Sequence, residues 1–252
     1  MQAARHRRRG TAASSANAAD LFAVIFDLDG VLVDSYRLHL KSWQLAAAEA
    51  GVTLTEEQFA PLFGRTAPDV ARHLWKSRDL NDQRVVTLCE RKRALYREMF
   101  IQHFSAMDGA VELIDALNQA GFRLAIGSAG PSDNAQFALN RLGRSSLFPV
   151  QVTSEDVTRG KPDPEVFLTA AQRLGVAPNR CAAIEDAPAG IAAARAAGMA
   201  AIGLVSNGRA ENELASASRI VHSLRELSPE SIRALITTCL SLPKTSSGVV
   251  RP

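Results

Sequence analysis

Phe22-Ala23-Val24-Ile25-Phe26-Asp27-Leu28-Asp29-Gly30-Val31-Leu32-Val33-Asp34-Ser35 is the stretch from which the rest of this 252-residue chain can be read. Five apolar residues in succession, ending at two aspartates and a glycine, predict a buried strand that stops sharply. Asp27 and Asp29, at i and i+2, leave an extended strand on the same side, and Gly30 permits the abrupt exit. Two like charges this close repel unless a cation sits between them or their roles differ. One carboxylate can attack phosphorus covalently while the other moves a proton. A solvated aspartate pair ahead of a turn glycine fits the same string.

Working outward, further short apolar runs read as strands at 122–126, 181–184 and 200–205, with weaker ones at 149–152 and 219–221. Each is followed by a loop and a helical pattern; the clearest helices cover 110–120, 134–142, 164–174 and 189–197. This alternation predicts an α/β fold, a Rossmann-like three-layer sandwich around a parallel sheet. From 36 to 104 the rhythm breaks. Helical patterns at 38–50, 56–63, 67–76 and 82–104 fill that stretch, without a convincing strand. We read them as an inserted helical domain, with the core formed by 21–35 and 105–228.

Ligands of open α/β sheets gather beyond the carboxyl ends of the strands, and three more ends carry polar residues. In Ile126-Gly127-Ser128-Ala129-Gly130-Pro131-Ser132-Asp133-Asn134, a hydroxyl and backbone N–H groups near a helix start suit a phosphate; an ordinary helix cap by Ser132 or Asp133 fits too. In Arg159-Gly160-Lys161-Pro162-Asp163-Pro164-Glu165, Lys161 can balance clustered carboxylates and a phosphate, or simply sit in a surface loop. In Ala183-Ile184-Glu185-Asp186-Ala187-Pro188-Ala189-Gly190, an acidic pair offers the hard oxygen ligands that suit Mg²⁺, although Asp186 could equally cap the following helix. Their joint occurrence at successive strand ends is far more specific than any one of them.

Composition narrows the classes further. With 46% apolar and 22% charged residues, the chain is neither disordered nor collagen-like. Three scattered cysteines (Cys89, Cys181, Cys239) argue against a disulfide framework or a zinc site and for a reducing compartment. No apolar run reaches the roughly 18 residues that would span a bilayer, so no membrane association is expected. The net charge of +3 traces to Arg5, Arg7, Arg8 and Arg9 within an acid-free start, so no nucleic-acid partner is expected for the folded body. Residues 1–20 read as a disordered extension, with organelle import as an alternative to a cytoplasmic setting. Residues 242–252 read as a flexible tail.

Together the four motifs resemble the haloacid dehalogenase superfamily of phosphotransferases, and the helical insert resembles the cap of its β-phosphoglucomutase, CbbY-like and phosphoglycolate phosphatase branch. The resemblance spans about residues 21–227. It implies Asp27 as the nucleophile that becomes an aspartyl-phosphate, and Asp29 as general acid/base and a further Mg²⁺ contact through its backbone carbonyl. It implies Ser128 and Ala129 as holders of the phosphoryl group, Lys161 as its counter-charge, and Asp27, Glu185 and Asp186 as Mg²⁺ ligands. In the cap it points to His39, Gly64, Arg65 and Lys92 as substrate-reading positions. The mutases of this branch carry an Arg three residues after the cap glycine. Ala67 stands there in this chain, with Arg65 directly after Gly64. The expectation is therefore a Mg²⁺-dependent, monomeric phosphatase of a small phosphorylated metabolite, of the sugar phosphate or phosphoglycolate type, with a mutase or a catalytically silent metabolite-binding protein as alternatives.

Overall fold

The computed structural model describes residues 21–76 and 81–241; the expectations for 1–20 and 242–252 concern segments outside the described residues. Six strands, β1 (Ala23–Phe26), β2 (Arg123–Gly127), β3 (Val150–Val152), β4 (Cys181–Glu185), β5 (Ala200–Leu204) and β6 (Arg219–Val221), form one sheet in the order β3-β2-β1-β4-β5-β6. Every pairing is parallel, as strands separated by helices require. β1 lies in the middle: Val24 pairs with Leu124 on one side and with Ala182 on the other. The winding reverses at β1, which places a topological switch point at its carboxyl end.

Between β1 and β2 run α1 (Tyr36–Glu49), α2 (Glu56–Phe59), α3 (Ala67–Leu74), α4 (Asp82–Gln102) and α5 (Ala110–Gln119). α6 (Ser132–Leu142), α7 (Glu165–Leu174), α8 (Pro188–Ala196) and α9 (Pro229–Ser241) complete the described chain. The alternation of side chains along the strands sorts the core into two layers. Val24 and Phe26 face a cluster built with Ile114 of α5, Leu139 of α6 and Ile232 and Ile236 of α9. Ala23 and Ile25 face the opposite cluster, with Phe167 and Ala171 of α7 and Ile191 of α8. Small residues in β4 (Cys181, Ala182, Ala183) and β5 (Ala200, Ala201) are fully or almost fully buried, and they let the helices pack close to the sheet.

Residues 36–95 bury a third cluster around Trp43, Phe59, Trp75 and Leu88. The packing divides inside α4: Leu88 and Leu95 belong to this cluster, whereas Tyr96 and Phe100 join the sheet-side one. α4 is thus a rigid strut shared by both. The expected helix at 56–63 is shorter than its pattern suggests. Pro61 turns its second half into a single 3₁₀ turn at Ala60–Leu62. α9 is an element that the apolar pattern had not indicated, since its second half carries Thr237, Thr238 and Ser241. Its start does carry a helix signal: Ser228 and Ser231 cap each other's backbone N–H groups ahead of the apolar pair. Among the described residues, no helix is long and apolar enough to cross a membrane.

Candidate active site

The β1 exit is a tight loop. Leu32 and Val33 both donate their N–H to Leu28 O, and Gly30 donates to Val33 O at 2.8 Å. Gly30 adopts φ +82°, and a Cβ there would collide with the Asp186 carboxylate and lie 2.6 Å from Asn207 Nδ2. Only glycine therefore lets the loop press against the end of β4. Asp27, 5% exposed, follows β1 directly, and its N–H bonds Ile184 O across to β4.

Behind Asp27 lies a buried charged cluster. Lys161 Nζ donates to Asp27 Oδ1 at 2.7 Å and to Gly127 O at 2.9 Å, and stands 2.5 Å from Glu185 Oε1. Gly190 in α8 leaves the space that the Glu185 carboxylate fills, because a Cβ there would overlap it. Ser206 and Asn207, in the loop after β5, donate to Asp186 Oδ2 at 3.2 and 2.8 Å. Burial pushes the Asp186 carboxyl up to about 7, with repulsion from Asp27 adding to the effect. Burial likewise raises Glu185 to about 8 against the pull of Lys161, and raises Asp27 against the same pull. Lys161 itself is held above its ordinary range: burial would lower it, but Asp27 and Glu185 outweigh that.

Ligand oxygens of Asp27, Glu185 and Asp186 lie within 4.8 Å of one another, and Asp186 Oδ1 is buried without a hydrogen-bond partner. Three buried carboxylates thus face one buried ammonium. The deficit of positive charge, the all-oxygen donor set and the unpartnered Oδ1 fit a hard divalent cation.

Asp29 sits in a second network. Its Oδ1 accepts from Ser35 Oγ at 2.6 Å and from Tyr96 OH at 3.2 Å, and His39 Nε2 approaches it to 3.0 Å. His39 Nδ1 lies 2.7 Å from Lys92 Nζ. An ammonium can only donate, so Nδ1 accepts and Nε2 carries the proton that faces Asp29. Burial would raise the Asp29 carboxyl, yet His39, Ser35 and the Lys92 charge bring it well below the carboxylate range. Asp29 is therefore held ionised. Burial lowers the Lys92 ammonium to about 8, and burial with the Lys92 charge lowers His39.

Asp27, Asp29, His39, Gly64, Arg65, Lys92, Ser128 and Ala129 all line one cavity of about 640 Å³ between the helical segment and the strand ends. Lys161, Glu185 and Asp186 lie behind its wall, joined to it through Asp27. Ser128 follows β2, and its Oγ accepts from the Gly130 N–H at 3.0 Å. The loop carrying Gly64 and Arg65 roofs the cavity: a Cβ at Gly160 would lie 2.9 Å from Thr66 Cγ2. The four strand-end motifs, separated by up to 159 positions, therefore share one site, and the residues chosen in the helical segment face it.

Ser35, Ser206 and Asn207 join this site without being candidates on sequence, whereas Tyr96, with Lys92, matches a cap position of the family. Tyr96 had a usable signal in its i, i+4 spacing from Lys92. Asn207 has one in its backbone, at φ 58°, but that is visible only in the fold.

The sequence pattern of the haloacid dehalogenase-like hydrolases matches residues 23–198. The chain is 35% identical over 204 residues to validoxylamine A 7'-phosphate phosphatase of Streptomyces hygroscopicus subsp. limoneus, covering 81% of this chain and 94% of that protein. It is 35% identical over 207 residues to hexitol phosphatase A of Escherichia coli (strain K12), covering 81% and 91%. Among solved structures, β-phosphoglucomutase from Clostridium difficile superposes with a TM-score of 0.79 at 27% identity, covering 87% of this chain and 99% of that one. With the matched pattern spanning more than half its length, the chain belongs to the haloacid dehalogenase-like hydrolases.

Proposed function

We propose that the protein is a magnesium-dependent phosphatase of a small phosphorylated carbohydrate or polyol, working through an aspartyl-phosphate on Asp27. The observation that carries this reading is the pairing of two carboxylates, two residues apart, held in opposite settings at the floor of one cavity. Asp27 is pinned by Lys161 against the cation-binding cluster. Asp29 is held by donors from α1, α4 and the β1 loop. One suits a nucleophile, the other a proton carrier.

Asp27, Glu185 and Asp186, with the Asp29 backbone carbonyl, would hold Mg²⁺; bound there, it would neutralise phosphate charge as the ester meets an anionic nucleophile. Lys161 adds a fixed positive charge at the same oxygens, and Ser128 with the Ala129 N–H holds the remaining phosphoryl oxygens. Asp27 attacks phosphorus as the ester oxygen leaves with a proton from Asp29, which, being ionised in the free protein, first takes that proton from the monoanionic phosphate ester as it binds. Asp29, left ionised, then takes a proton from the water that releases phosphate. The Ser35, Tyr96 and His39 contacts favour that ionised state, which a base needs. We read residues 36–104 as a cap that excludes bulk water from these steps, with His39, Gly64, Arg65 and Lys92 as its contribution to the site.

Phosphate release from hexitol phosphates, hexose phosphates, phosphoglycolate and nucleotides, with and without Mg²⁺, tests the reading. Mg²⁺-dependent release is expected, strongest on the polyol and sugar esters. Conversion of β-glucose 1-phosphate to glucose 6-phosphate without free phosphate would instead establish a mutase. Ala67 at the position of the mutase Arg speaks against that outcome.

A further inference from the structure

We infer that Asn134, in the first turn of α6, is a specificity residue whose carboxamide binds a hydroxyl of the substrate's carbon chain. The inference rests on the carbohydrate-phosphate reading above and adds a residue to it. Asn134 is 5% exposed and forms part of the wall of the cavity that holds Asp27 and Asp29. Its backbone N–H bonds Pro131 O, while its side-chain amide makes no hydrogen bond to any described residue. Neither polar atom of the amide is sealed off in the protein interior, so a free donor and acceptor stand open to the cavity. At the wall beside Asp29 and Ser128 they can bond a polar group of a bound ester.

The surroundings say where on the ligand that bond falls. Arg97 Nη2 donates to Asp133 Oδ2 at 2.6 Å, and the Phe100 and Phe137 rings lie 5.0 Å apart, so α6 runs beside α4. Asn134 precedes Phe137 by three residues and shares its side of α6. It therefore sits one turn closer to the cavity, near the stretch of α4 that contributes Tyr96 and Arg93 to the wall. Ser128 and Ala129, assigned to the phosphoryl group, come from the same loop and helix start. Asn134 is thus placed beside the phosphoryl-binding end, within reach of the ester's own chain. A carboxamide both donates and accepts, which matches a hydroxyl and gives an unsubstituted aryl or alkyl ester nothing to bind.

The test uses the full chain carrying Asp27→Asn, which blocks turnover, in magnesium buffer. Calorimetry measures glucitol 6-phosphate and inorganic phosphate. Adding Asn134→Leu, close in shape but apolar, is expected to weaken glucitol 6-phosphate binding about 3- to 15-fold while changing phosphate binding by less than about twofold. Asn134→Ser, which restores a donor and acceptor, is expected to recover part of the loss. The Tm of Asn134→Leu should stay close to the parent's, since no side-chain hydrogen bond within the described protein is removed. Equal weakening of both ligands, a lower Tm, or a parent that binds glucitol 6-phosphate no better than phosphate would overturn the inference. Discrimination as expected, in a protein whose Asp27 form does not hydrolyse the ester, would sustain the inference and sink the phosphatase reading.

Discussion

Replacing Lys161 by Met asks whether the buried cluster is held together by charge. Lys161 Nζ lies 2.7 Å from Asp27 Oδ1 and 2.5 Å from Glu185 Oε1, with its side chain 3% exposed. Met fills similar volume and removes only the ammonium. Asp27 is then left as a buried carboxylate beside two others, and its escape is to take up a proton. At pH 7.5, protonating a group whose ordinary value is 3.8 costs about 5 kcal/mol, at about 1.4 kcal/mol per pH unit. That bounds the penalty and agrees with the roughly 3–5 kcal/mol lost on breaking a buried ion pair. The sign of its pH dependence follows. A carboxyl raised in the folded state contributes stability that is intact below its unfolded value and is lost as pH rises towards its folded one. Removing the ammonium raises Asp27 further, so the deficit grows with pH. Urea unfolding in EDTA should show Lys161→Met less stable by about 3–5 kcal/mol at pH 7.5 and by about 2 kcal/mol at pH 5.5. Phosphate release should fall by about 10²-fold or more. A deficit below about 1 kcal/mol, or one flat across that range, would refute the charge argument.

Asp27→Asn should retain its fold by circular dichroism and lose turnover; phosphate release near the parent rate would end the nucleophile assignment. Arg65→Ala should raise KM for the physiological ester more than for p-nitrophenyl phosphate, and equal effects in steady-state assays would remove Arg65 from substrate reading. Asp186 and Glu185, raised to about 7 and about 8, make the metal-free protein lose stability as pH climbs through that window. Because ligands must be deprotonated to bind, the Tm gained on adding Mg²⁺ should grow from pH 6 to pH 8.5, and a gain independent of pH would contradict this. Gly190→Ala, which would stabilise an ordinary helix by about 1 kcal/mol, should here destabilise by about 1–3 kcal/mol, through overlap with Glu185. It should also weaken Mg²⁺ binding in a calorimetric titration; a more stable variant would show that the cradle is loose.

The architecture was legible because its signals are local. Each buried strand announced itself as a run of apolar residues between punctuating glycines and prolines, and the break in rhythm after Asp34 marked the helical insertion. The polar residues of the site were legible for a related reason. They follow directly from those runs, so finding Phe26, Ile126 and Ile184 also finds Asp27, Ser128 and Glu185. Ser228-Pro229-Glu230-Ser231 carried a start signal for α9, but a helix with only Ile232 and Ile236 buried leaves a faint stripe behind it.

By itself, then, the sequence determined the element types, the parallel order of strand and helix, and the strand-end residues able to do chemistry. All of these depend on neighbours within a few positions. Only the tertiary structure decided what those residues become. Burial against one another makes Asp27, Glu185 and Asp186 a group that could hold a cation. Ser35, His39 and Tyr96 converge on one oxygen of Asp29 from three separate segments. Asn207 reaches Asp186 from 21 positions away. Asn134, polar and unremarkable in a helix start, becomes a wall of the cavity without a partner. Hydrogen bonding, desolvation and charge act through space, so their outcome is set by which distant segments the fold brings within about 3 Å.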